Sequence, residues 1–215
     1  VSPFDRTKEC LAYTNLSNEI HNLWFDEAIF KGRYPKKSLE LFDQYMPLGY
    51  ENDLAMISKP IDWVGINYYT RSLIKKDKTE PFLGFSSVKG DLPTTDMGWE
   101  IYPEGLEKII KNLQENYSKD LPIYITENGM ASADYLIDGK IKDTNRIVYY
   151  KGHLEKVLDL ISSNIPLKGY FTWSLLDNFE WAFGYEKRFG LVHVDFSTQK
   201  RTPKLSWKEF RKYLK

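Results

Sequence analysis

Glu127 ends the apolar stretch of "PIYITENGM", residues 122–130. A carboxylate at the end of a buried, strand-like run is costly unless it is paired, hydrogen-bonded or protonated, so chemistry competes here with a surface carboxylate or a structural ion pair. Three other segments carry side chains suited to binding: Asn67 and Tyr69 in "DWVGINYY", Trp99 in "MGWEIYP", and Trp173, Glu180, Trp181 and Phe189 in "TWSLLDNFEWAFGYEKRFG". Taken singly, each has an ordinary reading, the Asn as a turn former, the Tyr as core, the Trp as packing. Together they describe a carboxylate among aromatic faces and hydrogen-bonding groups. That mixture suits a sugar, whose C–H faces stack on rings while its hydroxyls seek donors and acceptors. Asn128 and Gly129 read as a turn, which sets Glu127 at the carboxyl end of a strand, facing a loop.

The elements that must position these residues follow from periodicity. Residues 7–30 place Leu11, Tyr13, Leu16, Ile20, Leu23, Trp24 and Phe25 at mostly helical spacing, and "KGRYP" breaks the pattern. Short helices are expected around "KKSLELFDQY" and "ENDLAMIS", then a strand in "DWVGINYY", 62–69. Residues 71–98 are polar and rich in turn residues and read as a long loop. Pro103 opens a helix whose apolar face is Leu106, Ile109, Ile110 and Leu113. The strand leading to Glu127 is followed by a helix over about 143–163, with Ile147, Tyr150, Leu154, Val157 and Ile161 on one side. A third strand, "LKGYFTWSL", an aromatic loop, the short strand "LVHVDF" and the helix "KLSWKEFRKYL" complete the chain. The repeated order of strand, loop and helix fits a parallel α/β architecture with its site in the loops after the strands. Only three core strands are expected, and a closed eightfold barrel takes about 250 residues, so this chain is not expected to supply one alone.

Composition narrows the class. The 215 residues are 42% hydrophobic and 15% aromatic, enough for a packed core. Thirty basic and thirty acidic side chains cancel, giving no electrostatic reason to expect nucleic acid or a membrane as partner. Lys75, Lys76 and Lys78 read as a solvated basic loop. Cys10 is the sole cysteine, which rules out an intrachain disulfide and favours a reducing, cytoplasmic location. His21, His153 and His193 are too scattered for a local zinc motif. The chain starts at Val1 without an initiator Met, which reads as a processed or truncated piece.

The segments "NEIHNLWFDEAIFKGRYP", "DWVGINYYT", "MGWEIYPEGL", "YITENG", "GYFTWSLLDNFEWAFGYEKRFGLVHVD" and "RTPKLSW" together resemble the carboxyl-terminal half of glycoside hydrolase family 1, the β-glucosidase-type retaining glycosidases. The resemblance runs over residues 1–215. It implies a (β/α)8 barrel in the complete enzyme, with this chain supplying about the last three strand-helix units as part of a single barrel domain. It also implies Glu127 as nucleophile and Tyr69 as the phenol that orients it, with Asn67 in the same wall. Trp173 would be the platform under the sugar, Glu180 and Trp181 the pair that grips its outer hydroxyls, Phe189 the closure of that pocket, and Trp99 a wall toward the leaving group. No metal or organic cofactor is implied. The expected partners are a β-glycoside or oligosaccharide and the missing amino-terminal part of the same barrel. Glu180 would repel a phosphate dianion and Phe189 stands where phospho-sugar relatives carry tyrosine, so an unphosphorylated sugar is expected. Lys187 is compatible with either sugar.

A retaining glycosidase needs a second carboxyl group about 5–5.5 Å from the first, as acid and then base. The family carries it in an Asn-Glu-Pro motif that this chain lacks. "TEP" at 79–81 falls in the long loop, and "NEI" at 18–20 falls in the first helix. These 215 residues alone are therefore expected to be inactive. Two alternatives stay open: a carbohydrate- or partner-binding pseudoenzyme, and an isolated barrel fragment.

Overall fold

The computed structural model describes residues 1–214. From the amino terminus the chain runs β1 (Ser2–Pro3), α1 (Lys8–Asn18), a π-helical turn (Glu19–Leu23), α2 (Trp24–Lys31), α3 (Lys36–Phe42) and α4 (Tyr50–Ile57). Next come β2 (Val64–Asn67), β3 (Leu73–Lys76), β4 (Phe85–Val88), α5 (Pro103–Leu113) and β5 (Ile123–Asn128). The last elements are α6 (Thr144–Ser162), β6 (Leu167–Thr172), β7 (Val192–Val194), β8 (Arg201–Pro203) and α7 (Leu205–Phe210). The chain divides into two compact units. One comprises Val1–Asp62, Arg71–Asp91 and Asn112–Lys119, and the other Trp63–Thr70, Leu92–Lys111 and the chain from Asp120 onward.

In the first unit, the Thr7 hydroxyl caps α1 by accepting from the Cys10 amide at 3.2 Å, satisfying one of the amides a helix start leaves without an internal partner. The segment read as a long loop is not structureless: β3 pairs antiparallel with β4 and parallel with β1. Neither strand alternates cleanly between apolar and polar residues, so the hairpin left no periodic signal. The Cys10 thiol is buried and donates to the Ile74 carbonyl at 3.1 Å, tying α1 to β3. Lys76 pairs with Glu9 at 2.8 Å. Glu19 accepts from the Ser38 amide at 3.1 Å, and Glu80, in the turn between β3 and β4, accepts from the Phe82 amide at 3.3 Å, so both carboxylates have structural tasks.

The second unit holds the expected three-stranded parallel sheet, in the order β2-β5-β6. Ile66, Ile123, Ile125 and Leu167 are buried on one side of it. Trp63 and Phe171 remain 53% and 57% exposed on the other, where Trp63 packs edge-on against Tyr124. No closed barrel forms among the described residues. Leu106 and Ile110 of α5 are fully buried, as its periodicity requires. The buried stripe of α6 differs from the one read in the sequence: it runs through Arg146, Tyr149, Tyr150, His153, Leu154, Val157 and Leu160, while Ile161 is exposed. The helix is rotated because Arg146, polar on paper, turns inward to ionic partners. Tyr149, Tyr150 and Leu154 join Met130, Leu191 and Phe210 in one apolar core, so the last helix is packed through Phe210. Among the described residues, no helix is long and apolar enough to cross a membrane.

Candidate active site

Strand β5 carries Glu127 to the exposed side of the sheet by breaking its own alternation. Ile123 and Ile125 are fully buried, and strict period-two geometry would send residue 127 the same way. Register instead slips: Ile66 lies opposite Ile125, but Asn67 lies opposite Glu127. On the other edge, Ile125 pairs with Tyr170 and the next partners are Asn128 and Thr172. The extra residue is a bulge of the kind that re-aims a side chain next to a site. Thr126 is left to donate its hydroxyl to the Asn67 side-chain oxygen, Oδ1, at 2.7 Å.

Asn128 does not form the turn read in the sequence. It is the last residue of β5, fully buried, and its amide donates to the Tyr68 carbonyl at 2.7 Å and the Tyr149 hydroxyl at 2.9 Å while accepting from Tyr170 at 2.5 Å. Three bonds to one amide explain why a polar side chain can sit there. Gly129 follows for a different reason, since a Cβ at that position would lie 1.8 Å from the Trp173 carbonyl oxygen.

Tyr69 donates to Glu127 Oε2 at 2.7 Å. Burial drives the Tyr69 phenol far above its ordinary range, and the Glu127 hydrogen bond and charge, with the charge of Glu180, push it the same way. The phenol therefore stays a donor at any physiological pH. Its ring packs 5.4 Å from Trp99 and 6.2 Å from Phe189, and those two lie 6.3 Å apart. Phe189 is 1% exposed, so this aromatic cluster backs the carboxylate with a largely dry wall.

The structure thus brings Glu127, Tyr69, Trp99 and Phe189 together, with Asn67 beside Glu127 by strand pairing. Trp173 follows β6; its amide donates to the Asn128 carbonyl at 2.9 Å, and its peptide bond to Ser174 is cis. Glu180 is buried and accepts from the Asn178 amide at 3.0 Å. Trp181 is 83% exposed on a single 3-10 turn, Trp181–Phe183, and so stands largely in solvent; Asn67 is exposed as well. Lys187 is engaged by Asp96, through the carboxylate at 3.1 Å and the backbone carbonyl at 2.8 Å.

A buried ionic network supports the loops, and the sequence reading missed it. Arg146 bonds to Asp134 at 2.8 Å and also to Asp143; Lys204 joins Asp134 to Asp177; and Asp177 pairs with Arg188 at 2.6 Å. Burial works against the charge on Asp177, but Lys204 and Arg188 outweigh it and hold the carboxyl below its usual range. The network grips the backbone beside Phe189 from both sides. The Arg188 carbonyl accepts from Arg146 at 2.8 Å and from the Ser132 amide at 3.1 Å, while the Gly190 amide donates to Asp177 at 2.9 Å. Its members are spread from 134 to 204, and only the three-residue spacing from Asp143, just before α6, to Arg146 in its first turn gave any local hint.

His153 is fully buried against Tyr149, and no group of His, Cys, Asp and Glu among the described residues is placed to hold a metal ion.

Comparison with known proteins agrees with this geometry. The glycosyl hydrolase family 1 model matches residues 1–215. A 1,4-beta-D-glucan glucohydrolase of Thermotoga neapolitana is 49% identical over 201 residues, covering 93% of this chain and 47% of that protein. Beta-glucosidase A of Thermotoga maritima is 50% identical over 204 residues, 94% of this chain and 45% of its own length. A solved family 1 β-glucosidase from Thermotoga maritima superposes with a TM-score of 0.94 at 43% identity, covering 99% of this chain and 48% of the other. The chain belongs to glycosyl hydrolase family 1. It spans about half the length of the curated relatives it matches, and its mixed α/β fold is a segment of the barrel those enzymes share.

Proposed function

We propose that the complete protein hydrolyses β-glycosides of β-glucosidase type with retention, and that Glu127 is its nucleophile. The observation that carries this reading is the 2.7 Å bond from Tyr69 to Glu127, made at a bulge that turns the carboxylate out of the core in a chain of this family. The carboxylate attacks the anomeric carbon and forms a C–O bond as the glycosidic bond breaks. A carboxylic acid outside this chain protonates the departing oxygen and then, as base, activates the water that releases the sugar. Tyr69 keeps one Glu127 oxygen oriented. Asn67 stands beside the nucleophile, Trp173 offers a ring to the sugar, Glu180 and Trp181 take its outer hydroxyls, Phe189 closes the pocket, and Trp99 lines the leaving-group side.

Residues 1–215 form the carboxyl-terminal part of one barrel domain, whose amino-terminal part is the partner that completes the site. Without it the general acid is lost, worth about 10²- to 10⁴-fold in rate. The test is to incubate the complete protein with a 2-deoxy-2-fluoro-β-glucoside bearing a good leaving group and map the adduct by peptide mass spectrometry. A glycosyl ester on the peptide containing Glu127, absent in Glu127→Gln, is the expected result; an adduct elsewhere, or none in folded protein, overturns it.

A further inference from the structure

Residues Thr94–Glu100 form a small hairpin, bridged antiparallel at Thr94 and Glu100, whose turn is closed by the Gly98 amide donating to the Thr95 carbonyl at 2.9 Å. Gly98 ends that turn at φ 74°, a conformation that favours glycine. Trp99 sits on the returning arm, its carbonyl accepting from the Thr95 amide at 2.9 Å, so the indole and the turn move as one piece. The tip is held at Asp96 from two sides. Its amide donates to the Ala131 carbonyl at 3.1 Å, and its carbonyl and carboxylate both accept from the Lys187 ammonium. Lys187 lies two residues before Phe189, whose ring meets Trp99 directly. The same stretch of chain thus grips the hairpin at its tip through Lys187 and at its indole through Phe189. The Lys187 and Asp96 side chains are 21% and 34% exposed, so the pair is neither buried scaffold nor freely solvated decoration.

We propose that the Lys187–Asp96 pair is a clasp that fixes the Trp99 hairpin and thereby sets the affinity of the site for the leaving-group part of the substrate. The inference rests on the glycosidase reading above, and Lys187 acts in it as a positioning residue. With the clasp made, the indole is held against Tyr69 and offers a defined face to an aromatic or sugar leaving group. With it broken, Phe189 still packs on the indole and Asp96 keeps its hydrogen bond to Ala131, but the charged hold on the tip is gone, and a bulky leaving group meets a wall that has to be ordered on binding.

The test compares the complete protein with its Lys187→Met, Asp96→Asn and Lys187→Arg variants, using p-nitrophenyl and methyl β-glucosides and the fluoroglucoside label. Breaking a charged pair of this exposure is expected to raise KM for the aryl substrate about threefold to tenfold in Lys187→Met and Asp96→Asn. KM for the methyl glucoside should stay within about twofold, since a clasp acting only on the leaving-group wall leaves the sugar contacts alone. Lys187→Arg, whose fork can reach both Asp96 oxygens, should restore the aryl value. A merely structural role would move both substrates alike. An aryl KM unchanged in Lys187→Met, or an equal change for both substrates, overturns the clasp while the label on Glu127 keeps the glycosidase reading. A parent protein that takes no label at Glu127 overturns that reading and the clasp with it.

Discussion

Tyr69 keeps its proton because burial and two nearby carboxylates all oppose the phenolate, so it stays the donor in its bond to Glu127 across the neutral range. Removing that donor in Tyr69→Phe is expected to lower kcat/KM of the complete enzyme about tenfold to a hundredfold, the rate equivalent of a hydrogen bond to a charged group. Steady-state kinetics with an aryl glucoside would show it, and a rate within twofold of the parent would mean that Glu127 is aligned by other groups. At this scale the sequence was informative where a residue type implies its role: a glutamate after an apolar run, a tyrosine and tryptophans at strand ends. It misled at Asn128, because an asparagine before glycine has the same local signature whether it turns the chain or fills a buried polar niche. Only the distant Tyr149 and Tyr170 hydroxyls decide between the two.

The loops after β5 and β6 are held by elements rather than by single contacts. Asp177 is the joint of the ionic network, receiving Lys204, Arg188 and the Gly190 amide. Asp177→Asn would leave Arg188 without its carboxylate and the buried Lys204 with Asp134 alone, and a loss of about 3–5 kcal/mol in unfolding free energy is expected by urea denaturation. Gly129→Ala is predicted to cost about 1–3 kcal/mol, because the new methyl group meets the Trp173 carbonyl and β5 and β6 must part to admit it. A Tm equal to the parent's would show that the strand ends adjust freely. Strands and helices with clean periodicity were legible here. The β3–β4 hairpin was hidden because its residues do not alternate, and the rotation of α6 because it serves an ion pair whose partners lie elsewhere in the chain.

For the molecule as a whole, one open surface and one buried imidazole set its behaviour. The sheet face bearing Trp63, Tyr124 and Phe171 is open, so this chain produced by itself is expected to self-associate with rising concentration, and a Trp63→Ser/Phe171→Ser variant to do so less; sedimentation velocity would measure both. Inside, burial lowers the His153 imidazole to about 4, outweighing the Nδ1 hydrogen bond to the Tyr149 carbonyl and the charge of Glu104, which both favour the cation. The unfolded chain therefore takes up a proton first as pH falls, and stability should decline between about pH 6.5 and 4, a decline that His153→Phe would flatten. An unchanged urea midpoint between those pH values in the parent would count against it. The topology of the three strands was readable because each ends in a recognisable loop; the open face was implied by a barrel too long for the chain, yet the residues on it emerged only with the sheet. The bulge in β5 has one more consequence. A strand is a two-letter clock, and the slip at Thr126 resets it once, so the direction of the Glu127 carboxylate depends on register rather than on any contact it makes. Were Thr126 to pair in regular register instead of slipping, Glu127 would fall on the beat of Ile123 and Ile125, with every candidate side chain still present in the sequence and the carboxylate facing the other side of the sheet.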